Sequence, residues 1–202
     1  MLLDSHHRFI PSWDRHLVSM YEGLKAEGVR KPFITAYLPP YEPGGDPDRR
    51  SVEPLEIQPR SRERGLLVYL VARPIPLWKS LTRPIPAKYA SLHFVFTGGS
   101  FNQELAHDED VYFFGDEVVL ALRAYTHGYD LFHPHFVPGW HLYDRTATRT
   151  PHWEDHSDYQ ERNERSCERI RDIFLGIDDK AIGRCRTLED YEWMINDRLI
   201  RC

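Results

Sequence analysis

The chain has 202 residues, 41% of them hydrophobic, and a formal net charge of -5. This length suffices for one buried core, so a single domain over residues 1–202 is expected. The acidic balance argues against a nucleic-acid partner, and no apolar run is long enough to span a membrane. Three cysteines without a CxxC pair argue against a disulfide scaffold and a thiolate zinc site. The first residues do not resemble a signal peptide, so we expect a cytoplasmic protein.

The N-terminal third predicts one helix followed by one strand. Ser12 is a candidate N-cap for a helix that runs to about Lys25, and Gly28 is its expected stop. Residues 33–37 are rich in β-formers and precede two prolines, which predicts a short strand.

Two proline-rich segments, residues 41–64 and 74–90, are predicted as loops. The first contains Val52 and Ile57, which allow a short edge strand within it. Residues 65–71 separate the two loops and predict another strand.

The second half predicts alternating strands and helices. The expected elements are a strand at 92–97, a helix at 117–126 with Gly128 as its stop, a strand region spanning 131–137, a charged helix at 155–174 and a short helix opened by a capping box at 187–190. The fold class is therefore mixed α/β with long loops, which in compact domains often carry function.

Two separated signals point to a metal. Asp4 and His6 lie two apart, and in a strand both side chains would reach one ion on the same face. A carboxylate with imidazoles suits Mn²⁺ or Zn²⁺ better than Mg²⁺ or Ca²⁺. An ordinary turn explains the pair equally, and His141 taken alone is a structural histidine as readily as a third ligand.

A second group of candidates surrounds a predicted helix start. Asp116 is the expected cap of the helix, and Glu117 can bind a sugar hydroxyl, although acids at this position commonly complement the helix dipole. Gly98 and Gly99 follow a strand and would let backbone approach a ligand, or simply form a turn. Arg145, four residues after His141, suits a diphosphate.

His133 and His135 also have ligand-like spacing. Their neighbours Phe132 and Pro134 favour an extended segment of the protein wall instead.

The combination resembles a known enzyme family. The blocks that carry the resemblance are Asp4-Ser5-His6-His7-Arg8-Phe9, Ile34-Thr35-Ala36-Tyr37-Leu38-Pro39, Phe113-Phe114-Gly115-Asp116-Glu117, Arg123 to Asp130, His141-Leu142-Tyr143-Asp144-Arg145 and Arg186 to Tyr191. They are similar to the GlcNAc-transferases typified by the Skp1 hydroxyproline GlcNAc-transferase. That family is similar to the polypeptide GalNAc-transferases, which have a GT-A fold and an Asp-x-His metal motif.

The resemblance implies a GT-A-like mixed sheet flanked by helices and a role for each candidate. Asp4, His6 and His141 would bind Mn²⁺, and Gly98, Gly99, Glu117 and Arg145 would contact the donor UDP-GlcNAc. Asp116 and Glu117 would be the catalytic pair. The Arg145 spacing differs by one residue from the GalNAc-transferase pattern.

The implied reaction is a retaining transfer of GlcNAc from UDP-GlcNAc to a hydroxyl of a protein or glycan, with protein hydroxyproline as the family precedent. The metal would stabilise charge on the departing UDP. The leaving phosphate would take the acceptor proton, so no protein base is assigned.

One feature departs from the pattern, because a GT-A domain carries a nucleotide-binding half before its Asp-x-His. We therefore expect a fragment of a longer protein, a separate chain that supplies this half, or a scaffold without transferase activity. Two other functions stay open, namely a non-catalytic binding or assembly module and a metal-dependent hydrolase.

Overall fold

The computed structural model describes residues 1–46, 49–143, 152–178 and 180–201. The elements in chain order are β1 (Leu2–Leu3), β2 (His7–Phe9), α1 (Trp13–Ala26), β3 (Pro32–Thr35), β4 (Leu55–Glu63), β5 (Leu67–Pro74), β6 (Ile85–Pro86), β7 (Phe94–Thr97), α2 (Phe101–Glu104), α3 (Asp116–Thr126), β8 (Asp130–His133), β9 (Gly139–His141), α4 (His152–Asp155), α5 (Tyr159–Phe174) and α6 (Leu188–Ile195). No helix in these ranges is both long and apolar enough to cross a lipid bilayer.

A five-stranded mixed sheet in the order β1-β7-β3-β8-β6 organises the fold. Only β3 and β8 pair in parallel, and the other neighbours in this sheet are antiparallel. Two smaller antiparallel pairs, β2 with β9 and β4 with β5, complete the described strands. The predicted mixed α/β class with a sheet flanked by helices is confirmed, whereas the GT-A likeness stays a prediction.

Alternating side chains of the central strands divide the core between the two faces of the sheet. Phe33 points to a large cluster that includes Leu122 of α3, Ile170 of α5 and Tyr191 of α6. Its neighbour Ile34 belongs to a second cluster, which α1 covers. Successive residues of a strand face opposite sides, so both faces are apolar and both carry helices.

The predicted helix stops are confirmed, the N-cap position of Ser12 is confirmed, and the predicted cap at Asp116 is wrong. Gly28 and Gly128 have φ of 94° and 86° directly after the ends of α1 and α3. Ser12 occupies the N-cap position of α1 without a side-chain cap hydrogen bond. Asp116 is the first residue of α3, and Gly115 takes the cap position with φ 87°. The capping box of Thr187 and Asp190 is formed as predicted.

The loop prediction for 41–64 is wrong for its second half. Residues Leu55–Glu63 form β4, a nine-residue strand that pairs with β5 through an irregularity between Pro59 and Ser61. The short edge strand that the sequence allowed is therefore present at Ile57 but not at Val52. Proline and arginine in this stretch suggested a loop, but a two-stranded hairpin has an outer edge that accepts proline at a bulge. The second proline-rich segment is largely irregular, with one short strand, β6.

Two further boundaries differ from the prediction. Residues 136 and 137 lie outside the strands, the first of them in a bend, and the strand that follows is β9, which contains His141. The predicted helix at 155–174 is divided, because α5 begins at Tyr159 after the short α4.

The hydrogen bonds of His133 argue against a metal pair with His135 and favour the predicted structural role. His133 is buried, its Nδ1 lies 2.8 Å from the carbonyl oxygen of Thr35, and its Nε2 accepts the Ile57 amide at 3.1 Å. Both ring nitrogens are therefore occupied in anchoring the hairpin to the sheet.

Candidate metal and sugar site

The small β2–β9 pair brings the two ends of the sequence motif together. His7 lies opposite His141 in the register, and the Leu142 amide donates to the His6 carbonyl oxygen at 3.1 Å. Asp4 and His6 themselves lie in the bend between β1 and β2, so the expectation that a strand aligns them is wrong. Their convergence comes from the bend and from the return of β9.

Asp4, His6 and His141 form a group that is able to hold a metal ion. Asp4 Oδ2 lies 3.4 Å from His6 Nε2 and 3.2 Å from His141 Nε2. One ligand atom from each residue lies within 4.8 Å of the other two. The carboxylate is 43% exposed, whereas the His141 side chain is only 5% exposed. One oxygen and two nitrogen donors at this spacing fit Mn²⁺ or Zn²⁺.

Electrostatics keep the Asp4 carboxylate ionised. The hydrogen bond from His141 is the largest influence and, with the nearby imidazoles, lowers the pKa of Asp4 to about 2 although burial opposes it. The side chain is therefore an anionic ligand throughout the neutral range.

Two more histidines, His7 and His93, pack around this group, and no sequence pattern had marked them as part of the site. The ring centroid of His141 lies 4.9 Å from that of His7 and 4.5 Å from that of His93, the latter in a stacked arrangement. Burial is the main cause that lowers the pKa of His7, and it lowers the pKa of His93 to about 3. Both rings are neutral near pH 7, so they add no positive charge beside a cation.

Glu117 is held by groups of the protein itself. Its Oε2 accepts a short hydrogen bond from the Tyr37 hydroxyl, and its Oε1 accepts the Leu92 amide at 3.0 Å. Burial raises its pKa, against the effect of these hydrogen bonds. Glu117 thus has a fixed orientation, which suits a group that positions a ligand.

Asp116 differs from Glu117 in its ionisation. Its Oδ1 accepts the Glu117 amide at 2.7 Å. Burial, followed by the neighbouring Glu117 charge, raises the pKa of Asp116 to about 7. At neutral pH this carboxyl exists in both forms and can either donate or accept a hydrogen bond from a hydroxyl.

A cavity of about 410 Å³ joins these groups. Its polar lining includes Asp4, His93, Asp116 and Glu117, and its aromatic lining consists of Tyr37, Tyr69, Phe113, Phe114 and Tyr143. The described lining contains carboxylates but no lysine or arginine. It therefore suits a neutral, hydroxyl-rich ligand better than a bare anion, and an anion would need a cation beside Asp4.

The two glycines lie elsewhere. Gly98 and Gly99 line a separate, mostly apolar cavity of about 370 Å³, which shares Leu92 and Asp116 with the first cavity. Open space surrounds the position that a Cβ on Gly99 would occupy. The structure brings the glycines near Asp116 but not into the cavity of Asp4 and Glu117.

Arg145 lies outside the described residues. The catalytic, donor-binding and metal-binding roles assigned to the candidate residues all stay predictions.

Phe113 carries the clearest backbone strain at the site. It has φ 46°, a left-handed conformation that costs a non-glycine residue about 1–2 kcal/mol. Its side chain is 51% exposed at the cavity and meets the Phe114 ring edge-on at 5.1 Å. The sequence showed an aromatic run here but no signal for the strain.

The chain was compared with known protein families. The family model described as Glycosyltransferase (GlcNAc) matches residues 1–193. No curated protein matches the chain. The family match covers nearly the whole chain, including the bend of Asp4, the start of α3 and strand β9. The chain therefore belongs to the Glycosyltransferase (GlcNAc) family.

Proposed function

We propose that this chain transfers GlcNAc from UDP-GlcNAc to a hydroxyl group of a protein or glycan, with Mn²⁺ held by Asp4, His6 and His141. The observation that carries the proposal is the convergence of these three donors beside a cavity lined by two further carboxyls, in a chain of a GlcNAc glycosyltransferase family. Protein hydroxyproline is the acceptor that the resemblance suggests.

The donor set supports a diphosphate ligand. A divalent cation held by Asp4, His6 and His141 would supply Lewis-acid stabilisation of the negative charge on the departing UDP. Asp4 stays ionised and so contributes one negative charge to the ion. His7 and His93 stay neutral and the described lining of the cavity holds no lysine or arginine, so a bound cation would be the main positive charge near the phosphates.

The carboxyls at the start of α3 are proposed to orient the sugar. Glu117 is fixed by Tyr37 and the Leu92 amide and lines the cavity, and a carboxylate has lone pairs enough to accept a further hydrogen bond from a sugar hydroxyl. Asp116 changes ionisation near neutral pH and can accept or donate at a neighbouring hydroxyl. We assign no general base, because the departing phosphate is proposed to take the acceptor proton.

Calorimetric titration tests the metal and donor parts together. UDP-GlcNAc is titrated into the chain with Mn²⁺ and, in parallel, with EDTA. We expect binding only with Mn²⁺, and we expect Asp4→Asn to lower the Mn²⁺ affinity at least about 10-fold, since it removes the anionic ligand.

The matched control is Asp14→Asn, which makes the same change at an exposed position in the first turn of α1. This variant should bind Mn²⁺ and UDP-GlcNAc as the native chain does. Equal UDP-GlcNAc binding with Mn²⁺ and with EDTA would contradict the proposal.

Two outcomes divide the proposal into parts. If Mn²⁺ binds but UDP-GlcNAc does not, the metal centre stands and the nucleotide contacts must come from another polypeptide. If the chain releases free GlcNAc at a rate that no added hydroxyl acceptor changes, it is a hydrolase and the transfer part is wrong.

A further inference from the structure

Two buried nitrogen atoms beside the metal group have no hydrogen-bond partner among the described residues, namely Nε2 of His7 and Nδ1 of His141. The two residues are 8% and 4% exposed. A buried polar atom left without a partner costs free energy, so such a pair in one site requires an explanation.

The hydrogen bond of His7 fixes which of its nitrogens carries the proton. Its Nδ1 lies 2.8 Å from the carbonyl oxygen of Asp4. A carbonyl oxygen only accepts, so Nδ1 is the donor, and in the neutral ring Nε2 is then a lone-pair acceptor. His7 therefore ties the backbone of one metal-group residue and offers a free acceptor to its surroundings.

His141 needs a hydrogen-bond acceptor for its second ring nitrogen when the first binds a metal ion. Its Nε2 faces Asp4 Oδ2 at 3.2 Å and is the atom counted in the metal group. When Nε2 gives its lone pair to a cation, the proton of the neutral ring must be on Nδ1. That N–H is buried and needs an acceptor, as the outer nitrogen of a metal-bound histidine commonly does.

The strand register places the ring that offers the acceptor next to the ring that needs one. His7 and His141 are paired residues of β2 and β9, and their ring centroids are 4.9 Å apart at an interplanar angle of 54°. The ring on the other side of His141 is His93, whose Nε2 accepts the Leu38 amide and whose Nδ1 contacts Ser91 Oγ. His93 has no nitrogen left, whereas His7 does.

We propose that His7 is a positioning residue of the metal centre, whose Nε2 accepts the Nδ1–H of His141, directly or through one water, when His141 Nε2 binds a divalent cation. The inference rests on the metal centre of the proposed function. It adds a coupling between metal binding and one hydrogen bond: the ion selects the His141 tautomer that satisfies both orphaned nitrogens, and the bond in turn holds the ring in its ligating orientation.

Substitutions of His7 separate its two nitrogens. His7→Phe removes both, His7→Asn keeps a donor near the Nδ1 position, and His7→Gln keeps an acceptor near the Nε2 position. In calorimetric titrations with MnCl₂, we expect the Phe and Asn variants to bind about 10- to 100-fold more weakly, as for other outer-shell partners. The Gln variant should stay within about threefold of the native chain, because it retains the acceptor.

The control for a lost histidine is His127→Phe. His127 Nδ1 lies 2.7 Å from the Arg123 carbonyl oxygen, which is the same type of hydrogen bond away from the metal group. This variant should bind Mn²⁺ with the native affinity. Thermal melting without metal reports whether each variant is folded.

Nitrogen-15 NMR of the native chain provides a readout that does not depend on any variant. With Zn²⁺ as the diamagnetic probe, the His141 ring should show a protonated Nδ1 with slow solvent exchange. Equal Mn²⁺ affinity in the native, Phe and Asn chains, or a His141 Nδ1 without a proton in the Zn²⁺ form, would overturn the inference. Failure of the native chain to bind either metal would overturn the proposed metal centre itself, and the inference with it.

Discussion

The Tyr37 hydroxyl donates a hydrogen bond to the Glu117 carboxylate and so joins the segment after β3 to the first turn of α3. The Tyr37 ring stacks on His93 with centroids 5.3 Å apart, and His93 stacks on His141 at 4.5 Å. One continuous column of rings therefore runs from the carboxyl proposed to orient the sugar to the group proposed to hold the metal. A substitution at one end of this column should therefore alter the packing of the rings at the other end.

Replacing Tyr37 by Phe should destabilise the fold by about 1–3 kcal/mol, because the partly buried Glu117 carboxylate loses a hydrogen-bond partner. Urea unfolding measures the change. The matched control is Tyr69→Phe, which removes a hydroxyl that donates to the exposed Glu63 at 2.6 Å. That variant should lose less than about 0.5 kcal/mol, since water replaces the lost bond. Equal losses in the two variants would refute the special role of the Glu117 contact.

Asp116 should make stability fall as pH rises. Its folded pKa is raised from 3.8 to about 7, so the folded state holds a proton that the unfolded state has already released. The stabilising contribution is complete below pH 3.8 and is lost as pH rises through about 7; it amounts to at most about 4 kcal/mol. Asp116→Asn should remove this dependence.

The measurement is the free energy of unfolding of the native chain and of the Asp116→Asn variant at several values between about pH 4 and 8. The stability of this variant relative to the native chain should grow with pH across the range, whereas the exposed Asp14→Asn should show no such trend. A difference between the Asp116→Asn variant and the native chain that stays constant with pH would contradict the raised pKa.

At position 113, a glycine variant should be more stable than an alanine variant, which is the reverse of the usual order of stability. Its φ of 46° is favourable for glycine and strained for any other residue, so Phe113→Gly should be more stable than Phe113→Ala by about 1 kcal/mol. At the exposed helix position Val18, the order should be the normal one, with Val18→Gly about 1 kcal/mol less stable than Val18→Ala. Thermal or urea unfolding compares the two pairs of variants. A Phe113→Ala variant more stable than Phe113→Gly would show that this backbone is not strained.

Gly115 should not tolerate a side chain, because it has φ 87° and an added Cβ would lie 2.8 Å from Ile170 Cδ1. Gly115→Ala should therefore cost about 2 kcal/mol or more and displace the start of α3. Gly99→Ala should change stability by less than about 0.5 kcal/mol, since nothing lies within 4 Å of the added atom. Unfolding midpoints of the two variants give the comparison, and a mild effect at Gly115 would mean that α3 shifts easily against α5.

Local patterns predicted the four longer helices and the three central strands of the main sheet, because these elements carry their own periodicity and stop signals, whereas the short α2, α4, β1 and β6 were not predicted. The glycines after α1 and α3 and the capping box of α6 are examples. The sequence allowed only a short edge strand around Ile57, and the full length of β4 was missed because its proline and charged residues oppose strand formation locally, which pairing with β5 offsets. Asp116 was misplaced as a cap because the left-handed Gly115 takes that position.

The sequence by itself supplied the residue types of the proposed metal group, Asp4, His6 and His141. It also supplied the resemblance to GlcNAc glycosyltransferases, and the family match confirms that family. Only the tertiary structure decided that a bend and a returning strand, rather than one strand face, bring these donors together. It alone placed His7 and His93 around them and separated Gly98 and Gly99 into a neighbouring cavity. The physical reason is that residue type fixes what an atom can bind, whereas the partners of a buried atom depend on contacts between segments far apart in the chain, as in the bond of Asp4 to His141.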